Sequence, residues 1–316
     1  MWPLAILLIA GAYVGWNIGT NDAGNCVGTT VGSGLLSYRR AIILVCVFAI
    51  LGALLQGDHV MKTIGKGIVT EQLPTAALFA AMISAGFFVR LATFFKLPVS
   101  TSQAIVGGVA GVGLAVGAEV DFSKVLTIAE VWVICPFLTG LLAFVLYRSS
   151  VFLLRRTSRP AFWNRLPNAL LIISSCYVSF SMGANNVGNS VGPLMNLGID
   201  PLWLELLGGV SLAVGAITFG RRVTETIGSG IAPLDLLSAF SAQAAAAIAV
   251  HFFSLIGIPV STSQAVVGAV VGAGLVQGAR AIKARRIVEI PIAWVATPTS
   301  AGLSAFGVYR LIPLIS

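Results

Sequence analysis

The sequence predicts an all-α polytopic membrane protein that consists of two homologous halves. Of its 316 residues, 57% are hydrophobic and only 9% are charged, whereas a soluble domain carries about 25% charged residues. Four sequence motifs also occur twice, in the same order, once in each half of the chain. Only helices and closed barrels satisfy their backbone in lipid, and the apolar runs are too long for the alternating strands of a barrel.

Five apolar runs in each half are long enough to cross a bilayer or to enter it deeply, since about 20 helical residues span the hydrocarbon core. The runs of the first half lie at 2–36, 41–57, 74–95, 103–117 and 126–147. The runs of the second half lie at 168–198, 202–220, 236–256, 264–278 and 287–311. An odd number of runs per half predicts that the two repeats have inverted topology, as in many secondary transporters.

The predicted organisation is a first transmembrane repeat at 1–148, a connecting loop at 149–166 and a second transmembrane repeat at 167–316. Five arginines lie between Arg148 and Arg165. Because cytoplasmic loops are rich in Lys and Arg, we expect this loop in the cytoplasm and both termini outside. The net charge of +8 lies on loops, so it indicates membrane orientation and not a nucleic-acid partner.

The four motif pairs indicate an internal duplication. They are 19–25 with 183–189, 57–68 with 220–231, 98–104 with 259–265, and 132–136 with 294–298. Their offsets are 164, 163, 161 and 162 residues. Four matches in one order at nearly constant offset are not expected by chance.

The third motif, Pro-Val-Ser-Thr-Ser-Gln-Ala, is identical at 98–104 and 259–265. A Pro and hydroxyl side chains ahead of helix formers are typical of a helix N-terminus. Such an end attracts anions through its free N–H groups and its dipole. We therefore predict two re-entrant hairpins whose tips converge on one anion inside the membrane. Ordinary N-capping is the alternative interpretation of the hydroxyls.

The first motif places polar residues in the middle of the first apolar run of each half. These residues lie at Asn17 to Asn25 and at Gly183 to Asn189. We predict a broken helix there, because non-helical backbone at membrane depth must line a cavity or be buried in protein. A loop outside the bilayer is the alternative. Asp22 is the carboxylate that the pattern places most firmly at depth, where acidic residues are usually functional.

The sequence contains no Ser–His–Asp arrangement, metal-ligand spacing or nucleotide-binding fingerprint. An enzyme is therefore not expected, and no cofactor is expected beyond a co-transported Na⁺ or H⁺. A channel is an alternative from another class, and single-channel currents would reveal it.

On these motifs the chain resembles the PiT family of inorganic phosphate transporters. The resemblance rests on Gly19 with Asn21–Asn25, on the second copy from Gly183, and on the two Pro-Val-Ser-Thr-Ser-Gln segments. It implies an inverted-repeat fold in the inner (cytoplasmic) membrane, a phosphate site between the halves, and cation-coupled uptake, usually with Na⁺. The phosphate ligands that it implies are Asn21, Asp22, Ser100, Thr101, Ser102, Gln103, Asn185, Asn186, Ser261, Thr262, Ser263 and Gln264. The implied Na⁺ ligands are Asp22, Asn25, Thr101, Asn189 and Thr262.

Three positions depart from the family pattern and reduce the number of carboxylates. Asn186 stands where the family has Asp, and Ala49 and Gln243 stand where it has Glu. Two helix tips contribute about +1, phosphate −2 and Asp22 −1, so about two monovalent cations are needed to balance the site.

Some relatives in the PiT family carry sulfate, so a proton-coupled sulfate or oxyanion permease is the alternative function. Phosphate can donate a proton to the carboxylate of Asp22 and sulfate cannot, which favours phosphate. The sequence leaves open whether the chain forms a homo-oligomer in the lipid bilayer.

Overall fold

The computed structural model describes residues 2–95, 99–156, 160–221, 224, 234–277 and 284–315. Within these residues the chain forms ten α-helices, five in each half. The first half contains α1 (Trp2–Gly32), α2 (Tyr38–Lys62), α3 (Thr75–Phe94), α4 (Thr101–Val116) and α5 (Phe122–Arg155). The second half contains α6 (Pro160–Val191), α7 (Pro201–Phe219), α8 (Leu236–Leu255), α9 (Thr262–Gln277) and α10 (Ala284–Ile315). A π-helical turn at Thr63–Gly67 extends α2, and a 3₁₀ helix at Gly192–Leu197 extends α6.

The helices are those of a multi-pass membrane protein. In the described residues, seven helices are long and apolar enough to cross a membrane, and α4 and α9 are shorter apolar helices. Large apolar side chains such as Ile9, Phe137 and Leu141 are 64–76% exposed on the outer surface. Lipid is the solvent in which such a surface is stable. The prediction of an all-α polytopic membrane protein is confirmed.

Equivalent helices of the two halves run antiparallel. Near the start of α1, the carbonyl oxygen of Gly11 accepts a hydrogen bond from Ser190 Oγ at the end of α6, at 3.0 Å. Near the end of α1, Thr30 Oγ1 lies 2.5 Å from Ser175 Oγ in the first half of α6. The first helices of the two halves, α1 and α6, thus run in opposite directions, which is compatible with inverted repeats.

The α3–α4 and α8–α9 hairpins enter the protein from opposite ends. We call the end at which α5 finishes and α6 begins the central-loop end. The α8 helix starts there, because Tyr147 near the end of α5 donates to Asp235 Oδ2 at the start of α8, at 2.7 Å. At the opposite end, Val69 before α3 pairs with Val120 after α4, and α5 begins two residues later. This arrangement agrees with the predicted re-entrant hairpins.

Each hairpin packs against the last helix of the other half through glycine. A Cβ atom on Gly107 of α4 would lie 2.2 Å from the carbonyl oxygen of Pro298 in α10. In the mirror contact, a Cβ atom on Gly268 of α9 would lie 2.1 Å from the carbonyl oxygen of Pro136 in α5. Small residues let helix backbones approach this closely. The remaining helices, α1, α2, α6 and α7, pack together as a central bundle.

The predicted break in the first helix of each half is wrong, and so is the alternative of a loop outside the bilayer. Both α1 and α6 continue through their polar motifs. The polar side chains are bonded to other helices instead, as when Asn21 donates to Thr93 Oγ1 at 2.9 Å. Since side chains of neighbouring helices satisfy these groups, the helical backbone stays intact.

The connecting loop predicted at 149–166 is also largely helical in the described residues. The α5 helix extends to Arg155 and α6 starts at Pro160, while 157–159 lies outside the described residues. No Gly or Pro interrupts the chain from 149 to 155, and Pro is well suited to the first turn of a helix. Most of the second copy of the 57–68 motif, at 220–231, and Pro98 also lie outside the described residues.

Candidate functional site

The two hairpin tips meet inside the protein. Ser102 Oγ in the first turn of α4 donates to the carbonyl oxygen of Val260 at 2.6 Å. In the mirror contact, Ser263 Oγ in the first turn of α9 donates to the carbonyl oxygen of Val99 at 3.2 Å. The predicted convergence of the two tips is confirmed.

Each tip is a capped helix N-terminus. Ser100 Oγ accepts a hydrogen bond from the backbone N–H of Gln103, and Ser261 Oγ accepts one from Gln264, both at 3.2 Å. A cap occupies one of the four N–H groups that a helix start leaves unpaired, and the end keeps its partial positive charge. N-capping is therefore present at each tip, and anion binding there stays a prediction.

Asp22 of α1 and Asn186 of α6 face each other between the tips. Asn186 Nδ2 donates to Asp22 Oδ2 at 2.7 Å. The Thr101 hydroxyl approaches Asp22 Oδ2 at 3.4 Å, and Asn186 Nδ2 lies 3.4 Å from the hydroxyl oxygen of Thr262. Equivalent positions of the two halves thus supply one carboxylate and one amide, each no more than 1% exposed.

Two further asparagines attach α1 and α6 to the tip of the other half. Asn25 Nδ2 donates to Ser263 Oγ at 2.8 Å and to Asp22 Oδ1 at 3.2 Å. In the second half, Asn189 Nδ2 donates to Ser102 Oγ at 2.7 Å. A spacing of three residues on a helix puts Asn25 and Asp22 on one face, so the motif delivers both side chains to one site.

Asn185 supports the backbone of a tip. Its Nδ2 donates to the carbonyl oxygen of Val260 at 2.8 Å, and its Oδ1 accepts from the N–H of the same residue at 3.0 Å. Both polar atoms of the Asn185 amide are therefore engaged with the chain itself. Its equivalent Asn21 contacts Thr93 of α3 instead.

Three carbonyl oxygens in the tip and asparagine motifs are buried without a hydrogen-bond partner among the described residues. They are Oδ1 of Asn189, Oε1 of Gln103 and Oε1 of Gln264. Native proteins pair nearly all buried polar atoms, so these three oxygens are available to a partner beyond the described residues. Carbonyl and carboxylate oxygens are the ligands of hard cations. The site therefore offers N–H groups to an anion and oxygen atoms to cations.

All the residues predicted to bind ligands are buried, and none is more than 3% exposed. Those whose side-chain contacts connect the two halves are Asp22, Asn25, Thr101, Ser102, Asn186, Asn189 and Ser263. The contacts described for Asn21, Ser100, Gln103, Asn185, Ser261, Thr262 and Gln264 lie within their own half. Their roles as phosphate or Na⁺ ligands stay predictions.

The structure also buries polar residues whose surroundings the sequence did not reveal. Gln243 of α8 is 1% exposed and bonded to both α1 and α6. The signal in the sequence for this buried position is that Gln243 is a single amide side chain within an apolar run. Glu205 of α7 is 6% exposed beside Gly57 of α2. Ala49 is fully buried, and its backbone lies so close to Gly183 that a Cβ atom on Gly183 would have no room.

A closed polar site between two helix hairpins, at the centre of a multi-pass membrane protein, defines the class of membrane transporters. The sequence profile described as the phosphate transporter family matches residues 18–305. The chain therefore belongs to the phosphate transporter family, and it is a transporter rather than an enzyme. This confirms the family resemblance.

Two relatives and one solved structure illustrate the similarity. A provisionally named phosphate permease of Pyrococcus furiosus is 28% identical, over 99% of this chain and 97% of the relative. The chloroplastic inorganic phosphate transporter 2-1 of Arabidopsis thaliana is 28% identical, over 98% of this chain and 72% of the relative. A solved structure, described as the sodium-dependent phosphate transporter, matches with a TM-score of 0.90 at 28% identity, over 100% of both chains.

Proposed function

We propose that this protein imports inorganic phosphate together with Na⁺ across the inner (cytoplasmic) membrane by alternating access. The observation that carries the proposal is the meeting of two oppositely directed hairpin tips around Asp22 and Asn186. Family membership supports phosphate as the substrate, and the similarity to a solved sodium-dependent phosphate transporter supports sodium as the coupling ion.

The charges at the site support cation coupling. Two helix ends supply about +1, whereas dianionic phosphate and Asp22 together supply −3, which leaves about −2 in a dry site. The three unpaired carbonyl oxygens at Gln103, Gln264 and Asn189 are acceptors that cations can satisfy. We therefore propose that about two Na⁺ ions enter with each phosphate.

The distribution of charge supports a cytoplasmic central-loop end. The described arginines at that end are Arg39, Arg40, Arg148, Arg155, Arg156, Arg165 and Arg221. The described Lys and Arg residues at the opposite end are fewer, namely Lys62, Lys66, Lys124 and Arg310, and they lie among the acidic residues Asp58, Glu71, Glu119, Asp121 and Asp200. By the positive-inside rule, the central-loop end faces the cytoplasm and both chain termini face outwards.

The antiparallel relation of equivalent helices supports alternating access. One hairpin enters the protein from each end, so the two halves have inverted topology in the bilayer. In an inverted repeat, each half can adopt the conformation of the other half. This exchange of conformations closes the central site to one side of the membrane and opens it to the opposite side.

Uptake into proteoliposomes tests the proposal. We expect labelled phosphate to accumulate under an inward Na⁺ gradient, excess sulfate not to compete, and Asp22→Ala to abolish uptake because the site loses its carboxylate. Proton and Na⁺ gradients are varied separately. Competition by sulfate together with proton dependence would instead support the oxyanion permease. Uptake that is indifferent to Na⁺, pH and membrane potential, or single-channel currents, would overturn symport.

A further inference from the structure

The side chain of Gln243 in α8 joins α1 to α6 through both ends of its amide. Its Nε2 donates to the carbonyl oxygen of Cys26 at 2.8 Å and to the hydroxyl oxygen of Thr29. Its Oε1 accepts from the hydroxyls of Ser174 and Ser175 at 3.3 and 2.6 Å. A backbone carbonyl can only accept, so the contact with Cys26 fixes which end of the amide is the nitrogen.

This layer of hydrogen bonds lies between the central site and the central-loop end. Cys26 directly follows Asn25 of the site, and Thr30 is one turn further along α1. Ser33 Oγ donates to the carbonyl oxygen of Thr30 at 3.1 Å. Ser33 also lines a cavity of about 460 Å³ at the central-loop end, together with Pro167 and residues 234–237. The Gln243 layer therefore separates the site from a cavity at the central-loop end.

The equivalent layer on the other side of the site has no amide, and it is apolar or small except at Ser190, which matches Cys26. The duplication offset of 161 pairs Gln243 with Met82 of α3, which is fully buried. The offset of 164 pairs the serines and threonines of the Gln243 layer with small or apolar residues. The six residues of this second layer are Ala10, Gly11, Met82, Ser190, Pro193 and Leu194. Its one described side-chain hydrogen bond between α1 and α6 runs from Ser190 Oγ to the carbonyl oxygen of Gly11.

The two layers differ in the free energy that is needed to open them. Hydrogen bonds between side chains can be exchanged for hydrogen bonds to water at small net cost. Opening the second layer would expose the apolar surface of Met82, Leu194 and their neighbours to water. The free-energy cost rises in proportion to the apolar area that is exposed. The layer around Gln243 is therefore the one that opens more readily.

We propose that Gln243 is the latch of an inner gate, and that the central site opens to the central-loop end when its hydrogen bonds to α1 and α6 are exchanged for water. Gln243 is a positioning residue, since it contacts α1 and α6 and not the residues that are predicted to bind phosphate or Na⁺. The amide is required because a carboxylate cannot donate to Cys26 and Thr29. The assignment of this gate to the cytoplasmic side rests on the proposed function, whereas the latch itself does not.

The native thiol of Cys26 reports on the gate, because the carbonyl group of the same residue is bonded to Gln243 and the residue is fully buried. The test uses the full chain with Cys46, Cys135 and Cys176 replaced by Ala, in sealed vesicles of known orientation. A membrane-impermeant thiol reagent is added from one face at a time, without phosphate or Na⁺. We expect Gln243→Glu to speed labelling from the central-loop face about tenfold, because it loses the two hydrogen bonds that Nε2 donates. Gln243→Met loses all four hydrogen bonds and should speed labelling at least as much. Labelling from the opposite face should not change.

Met82→Gln is the matched control, since it places the same amide in the apolar layer. It should leave labelling from the central-loop face unchanged. Gln243→Met adds no charge, so it separates opening of the gate from any effect of a carboxylate on the thiol. Thr29→Val and Ser175→Ala each remove one hydrogen bond of the latch and should give smaller increases.

Unchanged labelling in both Gln243 variants would overturn the latch. Equal acceleration from both faces, or by Met82→Gln, would also overturn it, because this would indicate general loosening of the fold. Failure of the parent chain to take up phosphate would overturn the proposed function, while the labelling result would still decide the latch.

Discussion

A single difference between equivalent residues sets the charge of the central site. Asp22 and Asn186 occupy matching places in α1 and α6, and their side chains are 2.7 Å apart. The amide donates to the carboxylate, so the pair is stable without an added proton or cation between the two groups. The number of coupled cations should therefore respond to a change at either position.

We expect Asn186→Asp to raise the Hill coefficient for Na⁺ in phosphate uptake by about one, because two carboxylates at this separation cannot both stay ionised without a cation between them. Uptake at low Na⁺ should fall. The exchange variant, Asp22→Asn with Asn186→Asp, keeps the charge and moves it to the other half. It should restore the parent cooperativity. An unchanged Hill coefficient in Asn186→Asp would contradict the charge count.

The duplication made most of the site predictable at the residue scale. Residues that recur in both halves, such as Ser102 and Ser263, were assigned to the tips correctly because each copy carries the same local signal for a helix start. The use of Asn185 to hold the Val260 backbone could not be predicted. That contact joins residues 75 positions apart, and no local pattern specifies its partner.

Glycines set the separations between helices in the central bundle. A Cβ atom on Gly183 of α6 would lie 1.9 Å from the carbonyl oxygen of Ala49 in α2. A Cβ atom on its equivalent Gly19 of α1 would lie 1.9 Å from the carbonyl oxygen of Leu212 in α7. These contacts lie within the asparagine motifs, so the helix separation and the position of the site residues are linked.

Gly183→Ala should therefore destabilise the protein by about 1–3 kcal/mol, because the methyl group meets backbone that cannot move aside locally. Gly19→Ala should have a similar effect, since the contact is the same. Gly307→Ala in α10 is the matched control, because nothing lies within 4 Å of its Cβ position. Thermal unfolding in detergent measures all three. Equal melting temperatures for Gly183→Ala and Gly307→Ala would show that close packing at Gly183 is not required.

The elements themselves could be predicted with small errors at their ends, because lipid demands long apolar runs and turns separate them. At the element scale, the prediction that α1 is interrupted at Asn17–Asn25 was wrong. Polar residues within an apolar run indicate an interior position, but they do not tell whether the backbone unwinds or side chains such as Thr93 and Ser263 come to meet them. Only the tertiary contacts decide between these outcomes.

Across the whole molecule, each half packs against the hairpin and the last helix of the other half. Each hairpin packs on the last helix of the other half, and each asparagine motif bonds to the hairpin tip of the other half. Because every contact of this kind occurs twice with reversed polarity, neither end of the site is favoured by the backbone arrangement alone. The difference between the ends comes from side chains, namely the surface arginines and the Gln243 layer.

The arginines predict the orientation of the whole molecule. Reporter fusions measure it: alkaline phosphatase fused after Ile315 or inserted before Asp200 should be active, because both points lie at the end that we place outside the cell. The same enzyme inserted between Arg156 and Pro160 should be inactive, and a fluorescent protein inserted there should fluoresce. The opposite pattern would reverse the orientation. Gln243 would then close the outer gate, and the positive-inside rule would have failed for a chain with seven described arginines at one end.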